Sequence, residues 1–182
     1  MDVTQLILDQ HHEQRQLFAT IDQLQGDKDA LRAVWNRLRA FLDMHAQAEE
    51  QYFYPQLLEI GRGADDKPNA AAETRDAIKD HNEIRDKGAA VDRCDVGSAE
   101  WFKAIDAVEK ANGDHMAEEE RQGLADFRKH GDLALRHRLA VQFARFTAEH
   151  LTGVKPVDKD PSAYVLENSH AGHGRGDGHG KD

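Results

Sequence analysis

The chain has 182 residues, which is long for one small domain and short for two. Its 34 acidic residues outnumber its 24 basic ones, and the net charge of −10 argues against nucleic acid as a partner. The single cysteine excludes an intrachain disulfide and a multi-cysteine metal site, no apolar run reaches the roughly 20 residues of a membrane span, and the start lacks a signal-peptide pattern. We therefore expect a cytoplasmic protein without nucleic-acid or membrane partners.

Good helix formers dominate the chain and only four prolines interrupt it, so the sequence predicts five helices. In chain order they span about 3–25, 28–60 with a kink at Pro55, 69–93, 98–129 with Ser98 as N-cap, and 132–151. No run alternates between polar and apolar residues, so no strand is predicted. The composition changes after residue 152, which divides the chain into a helical domain, 1–152, and a C-terminal segment, 153–182.

This C-terminal segment has two parts. Residues 154–169 are predicted to form an irregular strap along the helical domain. From His170 to Asp182 glycine recurs at nearly every second or third position, with His, Arg, Asp and Lys between. Because such a stretch cannot bury enough apolar surface to order itself, a disordered tail is predicted there.

Each of the first four helices carries an apolar stripe at helical spacing, and each stripe is interrupted at one level by histidine, or by histidine and glutamate. Four amphipathic helices with short connections predict an all-α fold. The specific prediction is an antiparallel up-and-down four-helix bundle with an additional C-terminal helix and a disordered tail.

A 70-residue repeat relates the two halves of this bundle. His11 and His81 each begin the pattern H-x-E-x-R, while His45 and His115 each begin the pattern H-x-x-x-E-E. In both halves the second histidine follows the first by 34 positions. The repeat implies pseudo-twofold symmetry, and counting residues from the turns places all four histidines at one level of the core.

Six side chains at this level are predicted to bind metal. They are His11, His45, Glu49, His81, His115 and Glu119. An ionised glutamate in an apolar core is costly unless it is paired or bound to a metal. Four imidazoles and two carboxylates without thiolate suit two iron ions joined by an oxo or hydroxo bridge, with manganese or zinc as alternatives. The histidines would be terminal ligands and the two glutamates would bridge, and no catalytic residue beyond this set is predicted.

The neighbours of these six residues are interpreted as lying outside the metal centre. The neighbouring glutamates are interpreted as solvated helix faces, namely Glu13, Glu50, Glu83 and Glu120. Arg15 and Arg85 lie one turn beyond a histidine and are predicted to form ion pairs at the edge of the site. His12 falls off the apolar stripe and its repeat partner is Asn82, so a surface position or one just outside the ligands is predicted.

Tyr52 and Tyr54 follow Glu49 closely, and ordinary packing is the favoured interpretation for both. Contact of Tyr52, Tyr54 or His12 with the metals is left open at this stage. The three tail histidines, His170, His173 and His179, are interpreted as part of a plain soluble tail rather than as metal ligands.

These motifs resemble the hemerythrin family in its HHE cation-binding branch. The residues that carry the resemblance are His11, His45 to Glu50 followed by Tyr54-Pro55, His81, and His115 to Glu120. The resemblance covers about residues 1–150. It implies a four-helix bundle that holds a non-heme di-iron centre and reacts with dioxygen or related small molecules.

The pattern departs from that of the oxygen-carrying hemerythrins at two positions. Arg85 stands where those proteins have a second histidine in the third helix, and Glu119 follows its histidine by four residues where they have an aspartate five residues on. We therefore favour redox chemistry or sensing of dioxygen, peroxide or nitric oxide, in oxidative or nitrosative stress, over reversible oxygen transport. The expected partners are a small gaseous or peroxide ligand and a redox partner protein.

Two other functions stay open. One is an iron-sensing or iron-handling regulatory module without turnover, and the other is a metal-free helical interaction domain.

Overall fold

The computed structural model describes residues 1–170, and all regular structure in that range is helical. The elements are α1 (Val3–Gln23), α2 (Lys28–Ala48), a π-helical segment (Glu49–Phe53), α3 (Tyr54–Ile60), α4 (Ala70–Val91), α5 (Ala99–Arg121), α6 (Gly123–His130), α7 (Leu133–Glu149) and α8 (Pro161–His170). The all-α prediction is confirmed for these residues, whereas the predicted disorder of the tail falls largely on residues 171–182, outside the described part. None of the described helices is long and apolar enough to cross a bilayer.

Side-chain caps begin most of the long helices. The capping residues, whose side chains accept a hydrogen bond from a backbone N–H two or three positions later, are Asp2, Asp27, Asn69, Ser98 and Asp132. Ser98 Oγ accepts from the N–H of Trp101 at 3.1 Å, which confirms the predicted cap. Gly26, with φ of 98°, supplies the left-handed residue of the turn between α1 and α2.

Two of the predicted helices are interrupted. The range 28–60 is helical throughout, but the π-helical segment interrupts its α-helical pattern, and the N–H of Tyr54 donates to the carbonyl of Glu49. Pro55, which has no N–H to donate, lies in the first turn of α3. The range 98–129 is two helices because Gln122 leaves the helical region, with φ of −104° and ψ of −90°.

The strap predicted as irregular contains a helix, α8. Its first turn is capped by Asp160, whose carboxylate accepts from the N–H of Ala163 at 2.7 Å. Tyr164 and Val165 are each 6% exposed, and α8 packs against α3 and α4. A helix that buries only these two hydrophobic residues shows little apolar periodicity, which is why the sequence did not predict it.

The helices form a bundle in which α1 packs on α2 and α4 packs on α5. Two apolar clusters fill its core. One contains the repeat-related residues Leu31, Trp101, Trp35, Ile105, Leu38 and Val108. The other lies towards the opposite end and includes Val3, Ala48, Ile78 and Phe143. The level of the histidines falls between these two clusters.

Candidate metal centre

The structure brings the six predicted ligands together in the core, and none of them is more than 5% exposed. Their nitrogen and oxygen atoms face one another across the bundle. His45 Nε2 lies 2.9 Å from Glu49 Oε1, and His81 Nε2 lies 3.2 Å from Glu49 Oε2. His11 Nε2 lies 3.3 Å from Glu119 Oε2. The helical spacing and the repeat therefore located a real cluster of ligand-type atoms.

The cluster consists of two groups that share one carboxylate. In the first group, the ligand atoms of His11, His45 and Glu49 all lie within 4.8 Å of one another. In the second, the same holds for Glu49, His81 and His115. Two binding groups with a common glutamate are the geometry expected when a carboxylate bridges two cations. Glu119 lies beside the first group but belongs to neither.

Several atoms of this cluster have no hydrogen-bond partner although they are buried. They are His11 Nε2, His45 Nε2, Glu49 Oε1 and Glu119 Oε2. The short distances between them do not have hydrogen-bond geometry. Leaving such groups unsatisfied costs about 1–3 kcal/mol each, and more for a charged group. A cation bound by these atoms would remove this free-energy cost, so the residues present fit a metal centre.

The outward-facing nitrogens of the histidines have separate partners. With the proton on Nδ1, His11 donates to Glu120 at 3.0 Å, His45 to the amide oxygen of Gln10 at 2.8 Å, and His81 to Glu50 at 2.9 Å. This tautomer leaves each Nε2 without a proton, so that its lone pair faces the cluster; the Nε2 of His81 lies 3.1 Å from that of His115. Orientation of a metal-binding histidine through its other nitrogen is the usual arrangement in metal sites.

Glu50 and Glu120 were expected to be solvated; this is wrong for Glu50, whereas Glu120 is partly exposed, with 28% of its side chain accessible. Glu50 is buried, and its carboxylate accepts from Arg85 at 2.6 Å as well as from His81. Glu120 accepts from Arg15 at 2.7 Å in the matching position. The predicted ion pairs of both arginines are therefore present. The repeat itself carried the missed signal, because it conserves the second glutamate of each E-E pair and the arginine of each H-x-E-x-R motif at equal spacing.

Tyr54 also belongs to the site, whereas ordinary packing was expected. Its buried hydroxyl donates to Glu119 Oε1 at 2.9 Å and lies 3.4 Å from Glu49 Oε2. Tyr52, in contrast, packs its ring against Phe146. His12 is exposed, as its position off the apolar stripe predicted.

In the metal-free protein, the neighbouring carboxylates change the pKa of His11 and His81. Burial lowers the pKa of His11, but the nearby carboxylates of Glu119 and Glu120 outweigh it and raise the pKa to about 9. Burial also lowers the pKa of His81, but Glu49 and Glu50 outweigh this effect and raise the pKa to about 9. The imidazoles therefore act as counter-ions for the carboxylates when no metal is bound.

The carboxylates respond in the opposite direction. Burial raises the pKa of Glu50, but His81, Arg85 and Lys159 together lower it to about 2. The hydrogen bond from His11 and the charge of Arg15 lower the pKa of Glu120 to about 2. His45 differs from the other two histidines, because burial dominates and lowers its pKa. A neutral His45 is already in the protonation state that a metal requires.

Two small cavities, each about 10 Å³, flank the cluster. One is bounded by His45, His81 and His115 together with apolar side chains, among them Leu42 and Ile84. The other is bounded by Tyr54, Glu119 and His115 among others. Each has room for about one water-sized molecule.

Comparisons with known proteins support this description. The family model of the hemerythrin HHE cation binding domain matches residues 2–125, which include all six predicted ligands. No curated protein and no solved structure shows a significant match to the chain. Because the family model covers more than half of the 182 residues, the chain belongs to the hemerythrin HHE cation-binding domain family.

Proposed function

We propose that this protein holds a non-heme di-iron centre that reacts with, or senses, dioxygen, peroxide or nitric oxide. The observation that carries the proposal is the pair of ligand groups that share Glu49, with unpartnered buried atoms in the cluster. His11 and His45 would hold one iron, and His81 and His115 the other. When bound, two iron ions would supply the electrons for reduction of a small oxidant.

The protein's own residues support a redox or sensing role more than oxygen storage. Arg85, at the position of the extra histidine of oxygen carriers, donates to Glu50 and cannot offer a lone pair to a metal. The Tyr54 hydroxyl donates a hydrogen bond to Glu119 within the cluster. The two cavities beside the histidines each have room for about one water-sized molecule, which favours a small ligand over a large substrate.

The proposal includes the finer topology of the bundle. We propose that α1, α2, α4 and α5 form an antiparallel up-and-down four-helix bundle around the centre. Support comes from the apolar clusters, since residues late in α1, such as Ile21, pack in the same cluster as residues early in α2, such as Leu31. Likewise, Val91 at the end of α4 packs in the same cluster as Trp101 near the start of α5. A redox partner protein and a cytoplasmic location stay predictions.

A second candidate function is an iron-sensing or iron-handling module without turnover. It is favoured by the buried polar atoms of the cluster that lack partners, because they make the fold itself dependent on metal. Such a module would change its stability with iron supply and would not consume peroxide.

Metal analysis and optical spectroscopy test the proposal. The protein is loaded anaerobically with ferrous iron, desalted, and analysed for iron. Visible spectra are then recorded under reductant, in air and after addition of peroxide. We expect about two iron atoms per chain, oxidation in air that is not reversed under vacuum, and consumption of peroxide. His11→Ala should lose iron, whereas the matched variant His12→Ala should retain it.

Three results would redirect the assignment. Only trace iron after loading would leave a metal-free helical domain. Two irons without reaction towards peroxide, dioxygen or nitric oxide would favour the iron-sensing module. Release of dioxygen under vacuum would make the protein a carrier.

A further inference from the structure

The C-terminal segment, of which the structure describes residues 153–170, is attached to one side of the metal centre. The Lys159 ammonium forms an ion pair with Glu50, the carboxylate that orients His81. The backbone of Lys159 is held by the amide side chain of Asn82, which donates to its carbonyl at 2.7 Å and accepts from its N–H at 3.1 Å. The Tyr164 hydroxyl donates to the backbone carbonyl of Glu50.

Within residues 1–170, these contacts have no equivalent in the other half of the repeat. Glu120, which orients His11, pairs there with Arg15 and with no lysine. The side chain of Glu50 is 1% exposed and that of Glu120 is 28% exposed. Moreover, the family model ends at residue 125, so Lys159 and Tyr164 lie outside the domain that defines the family. The C-terminal segment therefore adds a feature to the centre that the repeat and the family domain do not contain.

We infer that Lys159 is a positioning residue for His81: through Glu50 it holds the imidazole so that Nε2 faces the metal cluster, and metal binding in turn holds the C-terminal segment on the bundle. The inference rests on the proposed metal centre for its second part. Its first part concerns the metal-free protein alone.

Lys159 acts on His81 through the carboxylate of Glu50. Glu50 is buried, and His81, Arg85 and Lys159 surround its carboxylate, so each of them offsets part of the cost of burying it. Removal of the Lys159 ammonium leaves the outer carboxylate oxygen without its cation, and the carboxylate can turn away from His81. His81 then loses the partner that fixes its tautomer and its ring orientation. Because coupling between two binding events is reciprocal, an iron that fixes His81 must also favour attachment of the segment.

The test uses the full chain with three variants. Lys159→Ala removes the cation, and Lys159→Arg restores a cation at nearly the same place. Lys155→Ala is the matched control, because Lys155 is an exposed lysine of the same segment. Lys159 itself is about one-third exposed, with 32% of its side chain accessible, so its replacement is not expected to disrupt the core.

The first readout is taken without metal. Long-range ¹H–¹⁵N spectra of the histidine rings report their protonation and mobility. We expect Lys159→Ala to shift or broaden the signals of His81 and to leave those of His11 unchanged, while Lys159→Arg resembles the unaltered protein. Unchanged His81 signals in Lys159→Ala would overturn the positioning role.

The second readout adds ferrous iron under anaerobic conditions. Loss of a residue that orients a ligand typically lowers metal affinity 10–100-fold, and we expect about a tenfold loss for Lys159→Ala. Hydrogen exchange of residues 155–165 should slow on iron loading in the unaltered protein and respond less in this variant. Equal affinity and equal exchange in Lys159→Ala and Lys155→Ala would refute the coupling. Failure of the unaltered protein to bind iron would instead refute the proposed function, and the ring spectra would still decide the role of Lys159.

Discussion

The two halves of the centre contain the same three side chains but differ in their shielding from water. In the open half, Glu120 pairs with both His11 and Arg15, and the side chains of Glu120 and Arg15 are 28% and 45% exposed. In the buried half, which consists of His81, Glu50 and Arg85, the glutamate is 1% and the arginine 6% exposed. The repeat therefore fixes the chemistry of both halves, and the surroundings decide how strongly each pair is held.

Two features account for the difference. The π-helical segment contains both Glu49 and Glu50, and both are buried, whereas Glu119 and Glu120 lie in a regular α-helix and only Glu119 is buried. π-helical turns are rare and occur frequently at functional sites. The C-terminal segment then covers Glu50 from outside through Lys159 and Tyr164. Loss of the residue that both halves share should affect both alike. Loss of a residue that belongs to one half should change the stability of the protein by an amount that differs between the halves.

The largest effect is expected at the residue common to both halves. Iron at 1,000 times its dissociation constant should stabilise the unaltered protein by about 4 kcal/mol. Glu49→Ala removes the ligand shared by both groups, so this gain should disappear. Urea unfolding with and without ferrous iron measures it, with Glu59→Ala as an exposed control. An undiminished gain in Glu49→Ala would show that Glu49 does not bridge.

The next effect should separate the halves. Among residues 1–170, Glu50→Gln leaves the buried Arg85 with only the exposed Asp158, 3.9 Å away, as a charged partner, and we expect a loss of about 3 kcal/mol in the unfolding free energy of the metal-free protein. Glu120→Gln acts on a partly solvated pair and should cost about 1 kcal/mol. Urea unfolding of both variants at pH 6.5 provides the comparison. Equal losses would mean that burial does not distinguish the halves.

Both halves should lose stability together when the pH rises. His11 and His81 have pKa values of about 9, above the ordinary 6.5. A raised histidine pKa stabilises the fold fully below pH 6.5, and this contribution is lost as the pH rises through 9. The metal-free protein should therefore lose about 2–3 kcal/mol for each of these two histidines between pH 6.5 and 9.

Iron should reverse this trend, because the metal binds neutral imidazole and its affinity rises with pH. Unfolding curves at pH 6.5, 7.5 and 9, with and without ferrous iron, measure both effects. His12→Ala, which alters only an exposed histidine, should keep the same dependence. A metal-free stability that does not change with pH would contradict the ion pairing at both histidines.

The smallest effect is expected at the most exposed member of the centre. Arg15→Ala removes a solvated partner of Glu120, and exposed ion pairs contribute about 1 kcal/mol or less. Thermal melts should place it close to Arg37→Ala, which breaks the exposed pair with Glu13. A much larger loss for Arg15→Ala would mean that the open half depends on its arginine as strongly as the buried half.

The six proposed ligands and their common level followed from local spacing. Helical periodicity places His45 and Glu49 on one face, and the repeat places His115 and Glu119 on the matching face. An apolar stripe interrupted by a charge is a strong signal in a single sequence, because a buried glutamate needs a counter-charge wherever the helix packs. The helices and the cap at Ser98 followed from equally local features.

The outer partners of the histidines depended on tertiary structure. Glu50 meets Lys159, which is 109 residues away, and His11 meets Glu120 at the same separation. Tyr54 reaches Glu119 across 65 residues. No local pattern shows which side of a helix a distant segment will cover, so a glutamate beside a ligand looks solvated in the sequence. The sequence by itself thus determined which six ligand-type side chains meet at one level of the core, and the tertiary structure decided how each half is held and shielded.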